Sequence, residues 1–78
     1  MNRLTLKALL LSVITEIKFG QPLAPNAKFA KKEFKRLVGL KPSATNMDVL
    51  KEMKRTYEEN ELLPEFIGTL IKFKIEIV

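Results

Sequence analysis

Apolar positions recur with a helical period three times along the chain. Between Arg3 and Lys18, residues Leu6, Leu9, Leu10, Val13, Ile14 and Ile17 fall on one broad face of a wheel turning about 100° per residue, with Ser12, Glu16 and Lys18 outside it. Leu4 and Leu11 project from the far side, next to Ala8. Either this first helix is covered on two sides, or Leu4 and Leu11 offer a contact to a second copy. Gly20 ends the helix, and two prolines between Gln21 and Pro25 impose an extended or turned link. Asn26 then reads as an N-cap.

The second helix is expected over Ala27–Val38. Ala27, Ala30, Phe34, Leu37 and Val38 form its apolar face, and Phe29 lies at the boundary. Lys28, Lys31, Lys32, Lys35 and Arg36 cluster opposite, over about 140° of arc. Gly39 stops the helix and Lys41-Pro42 bars its continuation. A third helix begins near Thr45, where T-N-M-D is a capping box with Asp48 in the place of Glu or Gln. Its buried stripe is Asn46, Val49, Leu50, Met53 and Tyr57. Its outer face reads Asp48, Lys51, Glu52, Arg55, Glu58 and Glu59, with Lys54–Glu58 and Arg55–Glu59 spaced to pair. Glu58, Glu59 and Glu61 crowd its end, the wrong sign for the helix dipole.

The tail changes period. In LIKFKIEIV, Ile71, Phe73, Ile75 and Ile77 alternate with Lys72, Lys74 and Glu76, which is strand patterning. Pro64 and Gly68 punctuate the segment before it, and Leu62–Phe66 is a partner strand for a hairpin turning at Ile67-Gly68. The tail therefore pairs within the domain, pairs with a second copy, or is a helix. The expected fold class is α+β: one domain over residues 1–78, with three helices and a C-terminal β-hairpin or strand.

Composition narrows the chemistry. Seventy-eight residues make one domain with a thin core, and 46% apolar with 29% charged residues argues against disorder. The chain has no cysteine and no histidine. Disulfides, thiolate metal sites and the commonest general base are absent with them. Ser12 and Ser43 have no histidine to activate them, and the three glycines stand too far apart for a phosphate loop. The expectation is a protein that is not an enzyme and needs no cofactor or metal. No apolar run approaches the roughly 20 residues of a membrane span. The opening MNRLTLKALLLSVITEIKFG has the outline of a signal peptide, but Glu16 and Lys18 follow at once and no A-x-A site appears, so a cytoplasmic protein is expected.

Charge is unevenly spread. Asn26–Asn46 holds six bases and one acid, a local +5 equal to the net charge of the whole chain, while the rest carries eight of each sign. Such a stripe is either the solvated side of a helix or a grip for a polyanion.

Certain stretches resemble known modules. LLLSVITEIKFGQPLAP is similar to the first helix and linking strand of a winged helix-turn-helix domain, FKRLVGLKPSATNMDVLKEMKRTYEENELL to its second helix, turn and third helix, and PEFIGTLIKFKIEIV to its wing. A shorter stretch, VGLKPSATNMDVLKEM, resembles the SAP helix–loop–helix module through Gly39, Leu40, Val49 and Met53. Both resemblances imply binding of double-stranded DNA; the expectation is a small regulator, with a homodimer formed through Leu4 and Leu11 or the C-terminal strand. Helix 2 and the turn (Lys28, Lys31, Lys32, Lys35, Arg36, Lys41) would then hold phosphates. Ser43, Thr45 and Asn46 would approach the groove, with Lys51 and Arg55 behind them. The acids Asp48, Glu52 and Glu59 on that face favour phosphate binding over base readout. The alternative partner is a host protein, bound by an adaptor or inhibitor through its charged helix faces.

Overall fold

The computed structural model describes residues 2–21 and 25–77, with Pro25 and Asn26 described as backbone only. It contains four helices: α1 (Arg3–Phe19), α2 (Pro25–Val38), α3 (Asn46–Glu59) and α4 (Leu63–Lys72). α1 packs on both α2 and α3, α2 on α3, and α3 on α4. The principal extents are 27 × 26 × 24 Å.

Local chemistry explains the boundaries. Asn2 caps α1, its side-chain oxygen accepting from the Thr5 N–H at 2.8 Å. α2 begins at Pro25, where a missing N–H costs no helical bond. Asn26 therefore lies inside the first turn instead of capping it. The expected extended link falls on residues 22–24, outside those described. At α3 the capping box forms in full: Thr45 Oγ1 accepts from the Asp48 N–H, and the Asp48 carboxylate accepts from the Thr45 N–H.

Helices α2, α3 and α4 end in the same way. Each closes with a residue in the left-handed conformation followed by an apolar residue that folds back onto the core. At α2 these are Gly39 (φ 79°) and Leu40, whose N–H donates to Lys35 O at 2.8 Å. At α3 they are Glu61 (φ 59°) and Leu62, which donates to Tyr57 O at 2.8 Å. At α4 they are Lys74 (φ 56°) and Ile75, which donates to Leu70 O at 3.0 Å. This is the Schellman arrangement, with glycine at only the first of the three.

The core takes Leu6, Leu9, Leu10, Val13 and Ile14 from α1, Phe34 from α2, Val49, Leu50, Met53 and Tyr57 from α3, and Phe66 and Leu70 from α4. Removing a leucine side chain from such a site costs about 2–5 kcal/mol. Tyr57 and Phe66 meet as a tilted ring pair 5.4 Å apart, which joins α3 to α4. Arg3 and Glu65 form an ion pair between the starts of α1 and α4.

Three further expectations need correction. The fold is all-α: among the described residues there is no strand, so neither the C-terminal hairpin nor the wing of a winged helix exists. Leu63, Phe66 and Leu70 sit at helical spacing and turn inward as α4, burying the last two. Pro64 starts that helix instead of interrupting it, and Gly68 is tolerated within it. The alternating tail only begins where α4 ends, and Phe73, Ile75 and Ile77 pack against the core from irregular backbone. Ser12, placed outside the apolar face of α1, is buried. Leu37, placed on the inner face of α2, is 59% exposed. Of the two far-side leucines, Leu11 is half-buried and Leu4 lies open to solvent.

Candidate nucleic-acid interface

Burial divides the basic arc of α2 in two. Lys31 and Lys35 occupy the edge that turns toward α1 and α3, and both are used inside the molecule. The Lys31 ammonium donates to Glu16 Oε2 on α1 at 2.7 Å and to Asn46 Oδ1 on α3 at 2.9 Å. The Lys31 and Glu16 side chains are only 18% and 16% exposed. Lys35 is buried, and its ammonium donates to the carbonyls of Pro42 (2.9 Å) and Ala44 (2.8 Å), bracing the α2–α3 turn.

Lys28, Lys32 and Arg36 form the other half. They stand at every fourth residue, exposed, along the outer edge of α2. One turn apart, they make a row of cations about 12 Å long at about 1.5 Å rise per residue. Lys28 and Lys32 have no ion-pair partner among the described residues. Arg36 pairs with Glu33 one turn away, an exposed contact of small energetic weight. The Arg36 hydrogen bond holds the Glu33 carboxyl below its usual range, and the same contact raises the guanidinium further above neutrality. Lys41 and Ser43 extend the exposed surface into the turn.

The start of α3 offers fewer free groups than expected. Thr45 Oγ1 is engaged with the Asp48 N–H, and Asn46 is half-buried beneath Lys31. The Thr45 N–H, donating to Asp48, holds that carboxyl below its usual range. Lys51 and Arg55 are exposed further along α3, and Arg55 pairs with Glu59 at 3.4 Å. Lys54 and Glu58 form no ion pair. The predicted residues thus separate into an outward set on α2 and the turn (Lys28, Lys32, Arg36, Lys41, Ser43), an outward set on α3 (Lys51, Arg55), and an inward set (Lys31, Lys35, Thr45, Asn46).

Beside the outer row lies a groove of about 300 Å³ whose lining includes Phe29, Lys32, Glu33, Arg36, Leu40 and Pro42. Phe29 is 73% exposed at its edge. The sequence puts Phe29 only at the margin of an apolar face and marks none of Leu40, Pro42 and Glu33 as a binding residue. The signal available was the wheel itself, on which Phe29 and Glu33 follow directly after Arg36 on the outer arc.

A second groove, between α1 and α4, is lined by Lys7, Tyr57, Glu65, Gly68, Thr69 and Lys72. Burial, with a contribution from Glu65, pushes the Tyr57 hydroxyl up to about 12. No helix among the described residues is long and apolar enough to cross a membrane. No protein-family model, curated protein or solved structure matches the chain.

Proposed function

We propose that the protein is a non-enzymatic nucleic-acid-binding module that holds phosphates along the outer edge of α2 and the turn after it. The observation that carries this reading is the exposed row Lys28, Lys32 and Arg36, continued by Lys41. Three cations in line on a short helix repel one another, and a polyanion relieves that repulsion. Lys31 and Lys35 have no part in the grip, because their ammonium groups are spent on Glu16, Asn46 and the turn carbonyls. Four phosphate contacts give a log–log salt slope of about −3.6 on duplex DNA and about −2.8 on a single strand.

The experiment is a salt titration of a labelled DNA with the wild type and with Lys28, Lys32, Arg36 and Lys41 each changed to Glu. Each reversal is expected to weaken binding and flatten the slope while circular dichroism stays unchanged. No salt-dependent binding by the wild type, or reversals without effect, overturns the reading.

A specific observation supports a second reading, that of an adaptor for an acidic protein. Phe29 and Leu37, two turns apart on α2, are both exposed and flank Glu33. Large apolar groups beside cations suit a partner surface of acidic and apolar residues.

A further inference from the structure

The groove next to the cation row is built differently from the row itself. Its lining is mostly apolar, with Leu40, Pro42 and the largely exposed Phe29 beside Lys32, Lys35 and Arg36. Its rim carries a carboxylate, Glu33, hydrogen-bonded to Arg36. Lys32, Lys35 and Arg36 outnumber Glu33 in the lining, so a phosphate is met at the cationic edge, and the apolar part of the groove suits an uncharged ring. A flat, uncharged ring would meet an aromatic face, an apolar lining and a paired acceptor and donor at the rim.

Resting on the phosphate-binding reading above, we infer that the groove seats one base of a single-stranded nucleic acid whose backbone runs along Lys28, Lys32 and Arg36. In a duplex, bases are stacked and paired and cannot enter such a groove; in a single strand they are free to turn into it. Stacking on an aromatic side chain accepts any base, and cations beside it track the backbone. The rim adds a preference. A carboxylate accepts a hydrogen bond from the exocyclic amine of cytosine, and a guanidinium donates to carbonyl and ring-nitrogen acceptors. Cytosine presents an amine and acceptors on one edge, whereas thymine offers no amine to Glu33. The groove volume of about 300 Å³ is large enough for one ring system.

The test is fluorescence anisotropy with labelled oligo(dC), oligo(dT) and a duplex of equal length, at one low salt concentration. Oligo(dC) is expected to bind tighter than oligo(dT), and both tighter than the duplex. Phe29→Ala, at a surface position, is expected to weaken oligo(dC) binding by about fivefold or more while leaving duplex binding unchanged. Glu33→Ala is expected to abolish the preference for dC over dT. Equal affinity for single strands and duplex, with Phe29→Ala silent, overturns the base seat but leaves the phosphate grip standing. Absence of binding to every probe overturns both. Displacement of labelled oligo(dC) by poly-glutamate as readily as by unlabelled oligo(dC) overturns the inference in favour of an acidic protein partner.

Discussion

Lys31 and Glu16 form an ion pair at 2.7 Å between α2 and α1, and the same ammonium reaches Asn46 on α3. One lysine thus links three helices at a half-buried point. Removing either charge leaves the other poorly solvated and without its partner. Lys31→Ala is expected to destabilise the fold by about 1–3 kcal/mol, less than for a fully enclosed pair because water still reaches the site. The double variant Glu16→Met/Lys31→Met is expected to recover most of that loss. Urea unfolding of Glu16→Met, Lys31→Met and the double variant measures the coupling, and strictly additive effects would refute it.

Lys35 and Lys32 lie one turn of wheel apart yet do different things. Lys35→Met strips two charge-assisted hydrogen bonds from the carbonyls of Pro42 and Ala44, at an expected cost of about 2–3 kcal/mol. Lys32→Met, at an exposed position, is expected to change stability by less than about 0.5 kcal/mol. Thermal melts of the pair check this. Equal shifts would mean that the lysine does not brace the turn.

Two helix ends place side chains in the left-handed region without glycine. Glu61→Gly and Lys74→Gly are each expected to stabilise the protein by about 0.5–1 kcal/mol, since relief of the steric cost exceeds the added freedom of the unfolded chain. At Glu61 the change also removes a negative charge from the end of α3, adding in the same direction. A rise of about 2–8 °C in melting temperature is the measurable result. A fall would show that these residues are not held left-handed.

Stability is expected to decline at both extremes of pH, for separate reasons. The folded-state pKa values of Glu33 and Asp48 lie below the ordinary 4.5 and 3.8, so their contribution is complete above those values and is lost as pH falls through the depressed ones. For Tyr57 the folded value is raised from 10.0 to about 12, so its neutral form is favoured and stability is lost as pH rises between the two. Asp48→Asn is expected to flatten the acid limb of a stability–pH curve and Tyr57→Phe the alkaline limb. Curves that match the wild type at both ends would contradict the assignment.

Much of the helical architecture is legible in the sequence, because its signals are local. The stripe Val49, Leu50, Met53, Tyr57, the Thr45–Asp48 box and the stops at Gly20 and Gly39 each depend on residues within a turn or two. The tail is harder to read, because Pro64 and Gly68 weigh as breakers, while the inward spacing of Leu63, Phe66 and Leu70 competes with the alternation that begins at Ile71. The basic face looks uniform in the sequence because a helical wheel ranks lysine as solvent-facing. What draws Lys35 inward is a pair of carbonyls in a turn seven and nine residues on, and what draws Lys31 inward is a carboxylate on another helix. Neither partner is visible from the periodicity of α2.

The helices pack mainly on their neighbours in the chain: α1 on α2, α2 on α3, α3 on α4, with the α1–α3 contact spanning the greater separation. Little loop entropy has to be surrendered before the contacts between chain neighbours form, whereas α1–α3, the most extensive of the four, closes across the whole of α2. A topology of this kind places the protein among fast folders, reaching its native state in about microseconds to milliseconds once α3 and α4 are there to cover the leucines of α1.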